Sequence, residues 1–487
     1  MLRTVIDADS LPPLHAPTVV DVTVEYFENL IVSGALHPGA LLPSERRLAE
    51  SLDVSRVSLR SAIAKLSAKG VLIADGRTTA VTNVSAALIS AEARQTGSFS
   101  AADAWEFWSF LSVEAAAIAT ERHTRVDSVS LDQSQTHLLT GNWDEAEEQT
   151  DRLLNYLEKV CATAYNFFYT QVYIALNTAL RPIVANRLGE IGKETELRQS
   201  FVSSINDAHL CFINRDREGL RDAFAALCSF LEPGKGDVIR FPTSEHTTSA
   251  SRAQAMSQLV EHFRNSAMSP GQTLPSVETL AQATGIATTA LREAIAALDA
   301  LEVVRIDKKE VVSLLRTDLP DSSAPLLSLI LKRPDAVRQV YEFREVLEVH
   351  ASYMAARNSG ADIAPMRAEL KQALEISEEQ YAQADVKLHN RIAHMCGNTV
   401  AAIVSDALMP IFLKVTQEWF RLHSESYGDL DIIHRQHEEI VNAIEARDSA
   451  SAADAMGVHL NYVVQAMRAA EERDRLMRIS TLRSHFG

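Results

Sequence analysis

Two stretches of this 487-residue chain repeat each other 232 positions apart. Residues 36–49 read LHPGALLPSERRLA and residues 268–281 read MSPGQTLPSVETLA. Pro38, Gly39, Leu42, Pro43, Ser44, Leu48 and Ala49 return as Pro270, Gly271, Leu274, Pro275, Ser276, Leu280 and Ala281. The register persists at Leu59-Arg60 and Leu291-Arg292, and again at Arg215-Asp216 and Arg447-Asp448. A duplication constrains architecture more than composition does, because whatever one half folds into, the other must fold into as well. Between the halves, Glu232 to Ser251 holds Pro-Gly-Lys-Gly and a Thr/Ser-rich run, the composition of a flexible linker. Polar or small-residue stretches near Asn83-Phe99 and Arg316-Ala324 divide each half again, so four domains are expected, over 18–84, 99–231, 252–315 and 325–475.

In the leading segment, Val22 to Leu36 has apolar residues at helical spacing, Pro38-Gly39 turns the chain, and Ser44 is placed to cap a short helix over Glu45-Leu52. Ser55 can cap a further helix from Arg56 to Lys69, whose face is marked by Leu59, Ile63 and Leu66. Val71-Ile73, a turn at Asp75-Gly76 and Ala80-Val81 read as a two-stranded wing. The pattern predicts a winged helix-turn-helix. Glycine and proline are sparse, and runs rich in Ala, Leu, Glu and Arg recur, so the rest of each half is expected to be helical. The predicted class is mainly α: two winged helix-turn-helix domains with small β wings, and two antiparallel all-helical bundle effector domains.

The run LPSERRLAESLDVSRVSLRSAIAKLSAKGVL resembles the DNA-binding domain of the GntR superfamily, and the helical segment described below resembles the superfamily's FadR-like branch. That resemblance implies double-stranded operator DNA as a partner and makes Arg46, Arg56 and Arg60 the DNA-contacting arginines. Ser44 and Ser55 at the helix starts and Gly76 at the wing tip complete the expected DNA-facing set. The physics agrees: Arg56 and Arg60 lie one turn apart, and the segment from Ser55 to Lys69 has four basic residues and no acidic one. Arginine's planar fork suits guanine edges and phosphate oxygens. The whole chain carries 47 basic against 64 acidic residues, a formal charge of −17, so contact with DNA must be confined to such a local patch.

The second helical segment carries a different chemistry. YEFREVLEVHASYMAA at 341–356 resembles the opening helix of the FadR-like C-terminal domain. Asp385 and His389 are four apart, which puts a carboxylate and an imidazole on one helical face; His437 opens HEEIVNAIEARD and His459 ends AMGVH. One such pair among fifteen histidines would mean little, but all four positions match the family pattern. The resemblance therefore implies one divalent metal per chain, zinc, nickel, manganese or iron, with open positions for a small organic acid whose remaining charge Arg344 would neutralise. His350, His394 and His434 read as surface or supporting residues. An open His/Asp metal centre also suits a hydrolase or lyase that activates water, but no partner base has motif-level support and the attached DNA reader favours a sensor, not an enzyme.

The two halves differ. Glu278 and Thr288 stand where Arg46 and Arg56 stood, only Arg292 matches Arg60, and Asp307-Lys308-Lys309-Glu310 replaces the glycine turn of the wing. In the first helical segment Asp151 aligns with Asp385, Asn155 with His389, Ile205 with His437, Leu227 with His459 and Trp108 with Arg344, so no metal is expected there. Family members act as homodimers; with one competent head per chain, a homodimer pairing two N-terminal heads is the simpler expectation, and an intrachain pseudo-dimer is the alternative. The four cysteines form no Cys-x2-Cys pair and read as ordinary buried thiols. No apolar run is read as a bilayer span and the N-terminus lacks a basic start followed by an apolar segment, so a cytoplasmic protein without membrane contact is expected.

Overall fold

The computed structural model describes residues 18–466 except 34, 37–38, 76–77, 82–88, 90–92, 94–98, 235, 240–254, 257, 261, 264, 267, 301–302, 307–310, 316–329, 331–333, 359, 361, 374–377 and 424–427. The chain divides into two compact units: Met1–Ile31, Ala40–Thr82 and Arg252–Asp318 form one, and Val32–Gly39, Asn83–Ser251 and Leu319–Gly487 the other. Both leading segments thus fall in one unit and both helical segments in the other.

The first unit opens with α1 (Val19–Val32), β1 (Leu41–Leu42), α2 (Glu45–Leu52), α3 (Arg56–Ala68), β2 (Leu72–Asp75) and β3 (Thr78–Val81). Leu59, Ala62, Ile63 and Leu66 give α3 a buried stripe at helical spacing. The wing is an antiparallel hairpin of β2 and β3, extended by β1 in the order β1-β3-β2. Repetition reaches the backbone: Asp53 after α2 takes the left-handed conformation at φ 53°, where the second copy has Gly285 at φ 73°. That copy contributes α10 (Val277–Thr284), α11 (Thr288–Ala300), β6 (Val304–Ile306) and β7 (Val312–Leu314), and its α11 packs against α3.

The second unit begins at β4 (Phe99–Ser100) and runs through α4 (Ala101–Arg122), α5 (Arg125–Leu139), α6 (Ala146–Ala162), α7 (Phe167–Lys193), α8 (Thr195–Ile213) and α9 (Arg217–Ser229) to β5 (Val238–Ile239). β5 pairs with β4, so the first part of the expected linker folds back onto the start of its own bundle; residues 240–251 lie outside the described residues. The second bundle repeats the order with α12 (Pro334–Arg357), α13 (Ala364–Gln372), α14 (Glu378–Met395), α15 (Thr399–His423), α16 (Gly428–Glu445) and a helix α17 over 449–466. Arg215 and Arg447 adopt matching left-handed conformations at φ 58° and 57°, each followed by an aspartate whose side chain accepts a hydrogen bond from a backbone N–H three residues on, at Gly219 and Ser451. α15 is long and apolar enough over Thr399–Phe420 to cross a membrane, contrary to the sequence expectation, but 67% of that stretch is buried in the protein, largely against α14 and α4. Cys161, Cys228 and Cys396 are buried and Cys211 is half-buried, and all four are free.

The bundles meet through a reciprocal joint. α4 packs on α15 and α7 on α12, so the first helix of each copy lies against the fourth helix of the other, the self-complementary arrangement of a two-fold dimer. Asn166 caps α7 by accepting from the amides of Phe168 and Tyr169, while its Nδ2 donates across to the Gln339 carbonyl (2.9 Å) and to Glu342 (2.8 Å). Asn398, 232 residues on, caps α15 through the amides of Val400 and Ala401 and donates to the Asp103 carbonyl (2.8 Å) and to Glu106 (3.0 Å). Arg122 breaks the symmetry by adding an ion pair to Glu342 on one side of the joint. The two bundles of one chain thus pair with each other. His350, read from sequence as a surface or supporting residue, stacks on Phe110 of the other bundle (centroids 3.8 Å, 17° apart).

His350 Nε2 has no hydrogen-bond partner among the described residues, and burial pushes the imidazole down to about 4 from 6.5. Below pH 6.5 the unfolded chain takes up a proton that the folded chain refuses, so stability present above 6.5 is lost progressively down to about 4. The loss attached to His350 is about 3 kcal/mol. Urea unfolding at pH 7.5 and pH 4.5 should show a smaller pH-induced drop for His350→Phe, which keeps the stacking; an unchanged drop would contradict this reading.

Candidate metal centre and DNA-reading face

In the second bundle α14 supplies Asp385 and His389 from one face, α16 supplies His437 and α17 supplies His459; all four are buried. Their donor atoms lie within 4.8 Å of one another. Metal–ligand bonds of about 2.0–2.2 Å put donors on opposite sides of one ion at most about 4.4 Å apart, so closure onto an ion needs only small inward shifts. His389 Nε2 and His437 Nε2 are 3.3 Å apart, and Asp385 Oδ1 is 3.2 Å from His437 Nε2.

Two residues not singled out from the sequence orient this set. Glu348, on α12, accepts from His389 Nδ1 at 2.5 Å, and Gln436 Oε1 accepts from His459 Nδ1 at 3.1 Å. With Nδ1 donating in both rings, each Nε2 is left with a lone pair for a cation, the arrangement by which supporting hydrogen bonds fix imidazole ligands. The only sequence trace of Glu348 is its position four residues after Arg344, and Gln436 merely precedes His437.

Arg344 is 2% exposed. Its Nε donates to Glu348 at 2.8 Å, its Nη1 to Thr416 at 3.1 Å, and its Nη2 lies 3.9 Å from Asp385; the rings of Tyr341 and Phe412 sit 5.4 Å from the guanidinium carbon. Burial alone would raise the Glu348 and Asp385 carboxyls, but Arg344 and His389 outweigh it for Glu348, and His437, His389 and Arg344 for Asp385, so both are held below the usual range. Burial pushes the His437 and His459 imidazoles down, favouring the neutral form that binds metal. Arg344, Asp385 and His459 line a cavity of about 10 Å³ together with Tyr341 and Trp419, room for about one water.

In the first bundle this chemistry is gone, in a different register from the sequence alignment. Asp151 and Asn155 are exposed, and Asp151 pairs with Arg181 at 2.8 Å. The joint asparagines set the offset at 232, which places Leu153 and Leu157 opposite Asp385 and His389, as Ile205 and Leu227 stand opposite His437 and His459; all four are buried. Trp108 fills the Arg344 position and donates to Asn177 at 2.6 Å, and Ser112 replaces Glu348.

In the first head Arg46, Arg56 and Arg60 are all exposed. Arg60 donates to Glu45 at 2.8 and 3.2 Å and Arg46 to Glu50 at 3.3 Å, solvent-facing pairs that phosphate can displace; Arg56 has no ion pair among the described residues. The other two cations of the segment pair with α1, Lys65 with Asp21 at the surface and Lys69 with the buried Glu28. Ser55 caps α3 through Ser58 N, whereas Ser44 makes no side-chain cap bond, contrary to expectation. Gly76 and 307–310 lie outside the described residues. In the second head Arg292 pairs with Glu278 at 3.4 Å and Asp299 accepts from Ile306 N.

Paired winged helix-turn-helix heads and a helical bundle with a ligand-type cluster define a one-component DNA-binding transcription regulator. The description of bacterial regulatory proteins of the gntR family matches residues 21–81 and 252–312, and that of the FCD domain matches 339–462. The chain belongs to the GntR family, with an FCD effector-binding domain. The HTH-type transcriptional regulator LutR of Bacillus subtilis is 28% identical over 205 residues, covering 41% of this chain and 94% of LutR. The HTH-type transcriptional repressor NanR of Cronobacter sakazakii is 24% identical over 231 residues, 44% of this chain and 85% of NanR. Mce2R of Mycobacterium tuberculosis, also an HTH-type transcriptional regulator, is 41% identical over 63 residues, 13% of this chain and 26% of its own length. These families and relatives are regulators, not enzymes.

Replacing Arg344 by Met would leave Glu348 and Asp385 buried without their counter-charge. The expected cost is about 3–5 kcal/mol, against under about 1 kcal/mol for Arg181→Met on the surface. Urea unfolding followed by circular dichroism compares the two; equal midpoints would mean that Arg344 is not what holds the buried acids.

Proposed function

We propose that this chain is a cytoplasmic regulator in which the N-terminal head reads operator DNA and the C-terminal bundle senses a small organic acid through one divalent metal ion, zinc, nickel, manganese or iron. The observation that carries the reading is the convergence of Asp385, His389, His437 and His459 with two imidazoles already turned lone pair inward, in a chain that belongs to a DNA-binding family. The ion supplies a Lewis-acidic contact for a carboxylate oxygen; Arg344 lines the cavity beside it, and Trp419 and Tyr341 keep bulk water out.

DNA is read by Arg46, Arg56 and Arg60, supported by Ser44, Ser55 and Gly76. The domains run over 18–84, 99–231, 252–315 and 325–475. The second head and first bundle complete a pseudo-dimer instead of duplicating the sites, a role supported by the reciprocal asparagine joint and by the apolar set Leu153, Leu157, Ile205 and Leu227. On this reading the chain recognises an asymmetric operator by itself, and light scattering should give a mass near 53.6 kDa at micromolar concentration; a mass twice that would restore the homodimer.

Elemental analysis should find one metal equivalent per chain, and His437→Ala or His459→Ala should lose most of it while DNA binding survives. Two equivalents, or unchanged metal in either variant, would contradict the assignment. With an operator selected from a random duplex pool by the full chain, Arg56→Ala and Arg60→Ala should each weaken binding by more than about 1 kcal/mol. Arg292→Ala should do much less; equal losses at fixed salt would mean that both heads read DNA.

A further inference from the structure

Arg344, the cation that the sequence offers to an acid ligand, is already paired. Glu348 lies against it at 2.8 Å and Asp385 at 3.9 Å, and all three side chains are nearly inaccessible to water. The three imidazoles are neutral when they offer lone pairs to a metal. One cation and two carboxylates therefore leave the enclosed site at −1, and a divalent ion brings it to +1. The neighbouring charged groups, Asp431 and Glu438 on α16, are exposed and add little to this enclosed set. Charge left uncompensated in a buried site is disfavoured, so the loaded site is complementary to one negative charge and no more. The cavity of about 10 Å³ beside Arg344 also leaves little room for a second charged group to reach solvent.

We propose that Glu348 determines which acids the sensor accepts: by neutralising Arg344 while holding His389, it leaves the metal-loaded site with a single net positive charge, which selects short acids with one carboxylate over dicarboxylates. This rests on the metal reading above and deepens it. Glu348 acts as a positioning and specificity-determining residue and is not itself a ligand: its two oxygens are taken up by Arg344 and His389. Removing its charge moves the loaded site to +2, where a dianion becomes the better match. The first bundle has no counterpart of this device, because Ser112 and Trp108 stand where Glu348 and Arg344 stand.

The test uses the full chain, zinc-loaded and zinc-free, with propionate and succinate as probes in calorimetry at pH 7.5, where both acids are fully ionised. Wild type with zinc should bind propionate at least tenfold more tightly than succinate. Glu348→Gln should shift that ratio at least tenfold toward succinate, and Glu348→Asp, which keeps the charge, should retain the wild-type preference. Acid size is the same for every protein, so the change in ratio reports charge. Tighter binding of succinate by wild type, or an unchanged ratio in a Glu348→Gln protein that still holds one zinc, overturns the proposal. If Glu348→Gln holds less zinc, the wild-type ratio alone decides. A wild type that takes up no zinc, or binds both acids equally with and without it, overturns the metal-sensor reading instead, and elemental analysis tells the two failures apart.

Discussion

The arrangement of the helical unit hangs on one kind of hydrogen-bonded contact made twice. An asparagine at the start of the fourth helix of each bundle satisfies that helix's first amides with its oxygen, and spends its nitrogen on the other bundle's first helix. The same side chain that caps the start of a helix therefore sets the register between copies, so local capping and long-range pairing cannot be changed separately. Both asparagines are buried, which makes their side-chain bonds costly to leave unmade. The helix that receives Asn166 is α12, which also carries Arg344 and Glu348, so the joint and the sensing site share one rigid element.

Duplication allowed the copies to diverge toward opposite solutions of one problem. A bundle interior must either be apolar or satisfy every polar group that it encloses. The first bundle takes the apolar route with Leu153, Leu157, Ile205 and Leu227, and seats Trp108 against Asn177. The second encloses an arginine, two carboxylates and three imidazoles, held together because Arg344 faces both carboxylates, His389 and His437 each meet a carboxylate, and His459 donates to Gln436. Such a network is a poor way to gain stability and a good way to hold ligands in place. The heads diverge in the other direction, with the exposed arginines kept in the first copy and reduced to Arg292 in the second.

The sequence by itself determined the duplication, the winged helix-turn-helix units and the group of Asp385, His389, His437 and His459, because each is written in local spacing: turn residues, a four-residue helical step, and a motif repeated at a fixed distance. It did not determine the register of the first bundle, where the sequence aligns Asp151 with the aspartate of the second. The distance between copies changes from 236 residues at Trp108 to 232 at Leu153, a difference hidden in the loops between helices, and only burial tells a core leucine from an exposed aspartate two positions away. Tertiary structure alone decided that the copies pair with each other, that Lys65 and Lys69 pair with acids of α1, and that Glu348 sits between Arg344 and His389. These depend on contacts between residues far apart in the chain, whose energies come from desolvation and charge at close range, and no pattern along a single helix records them.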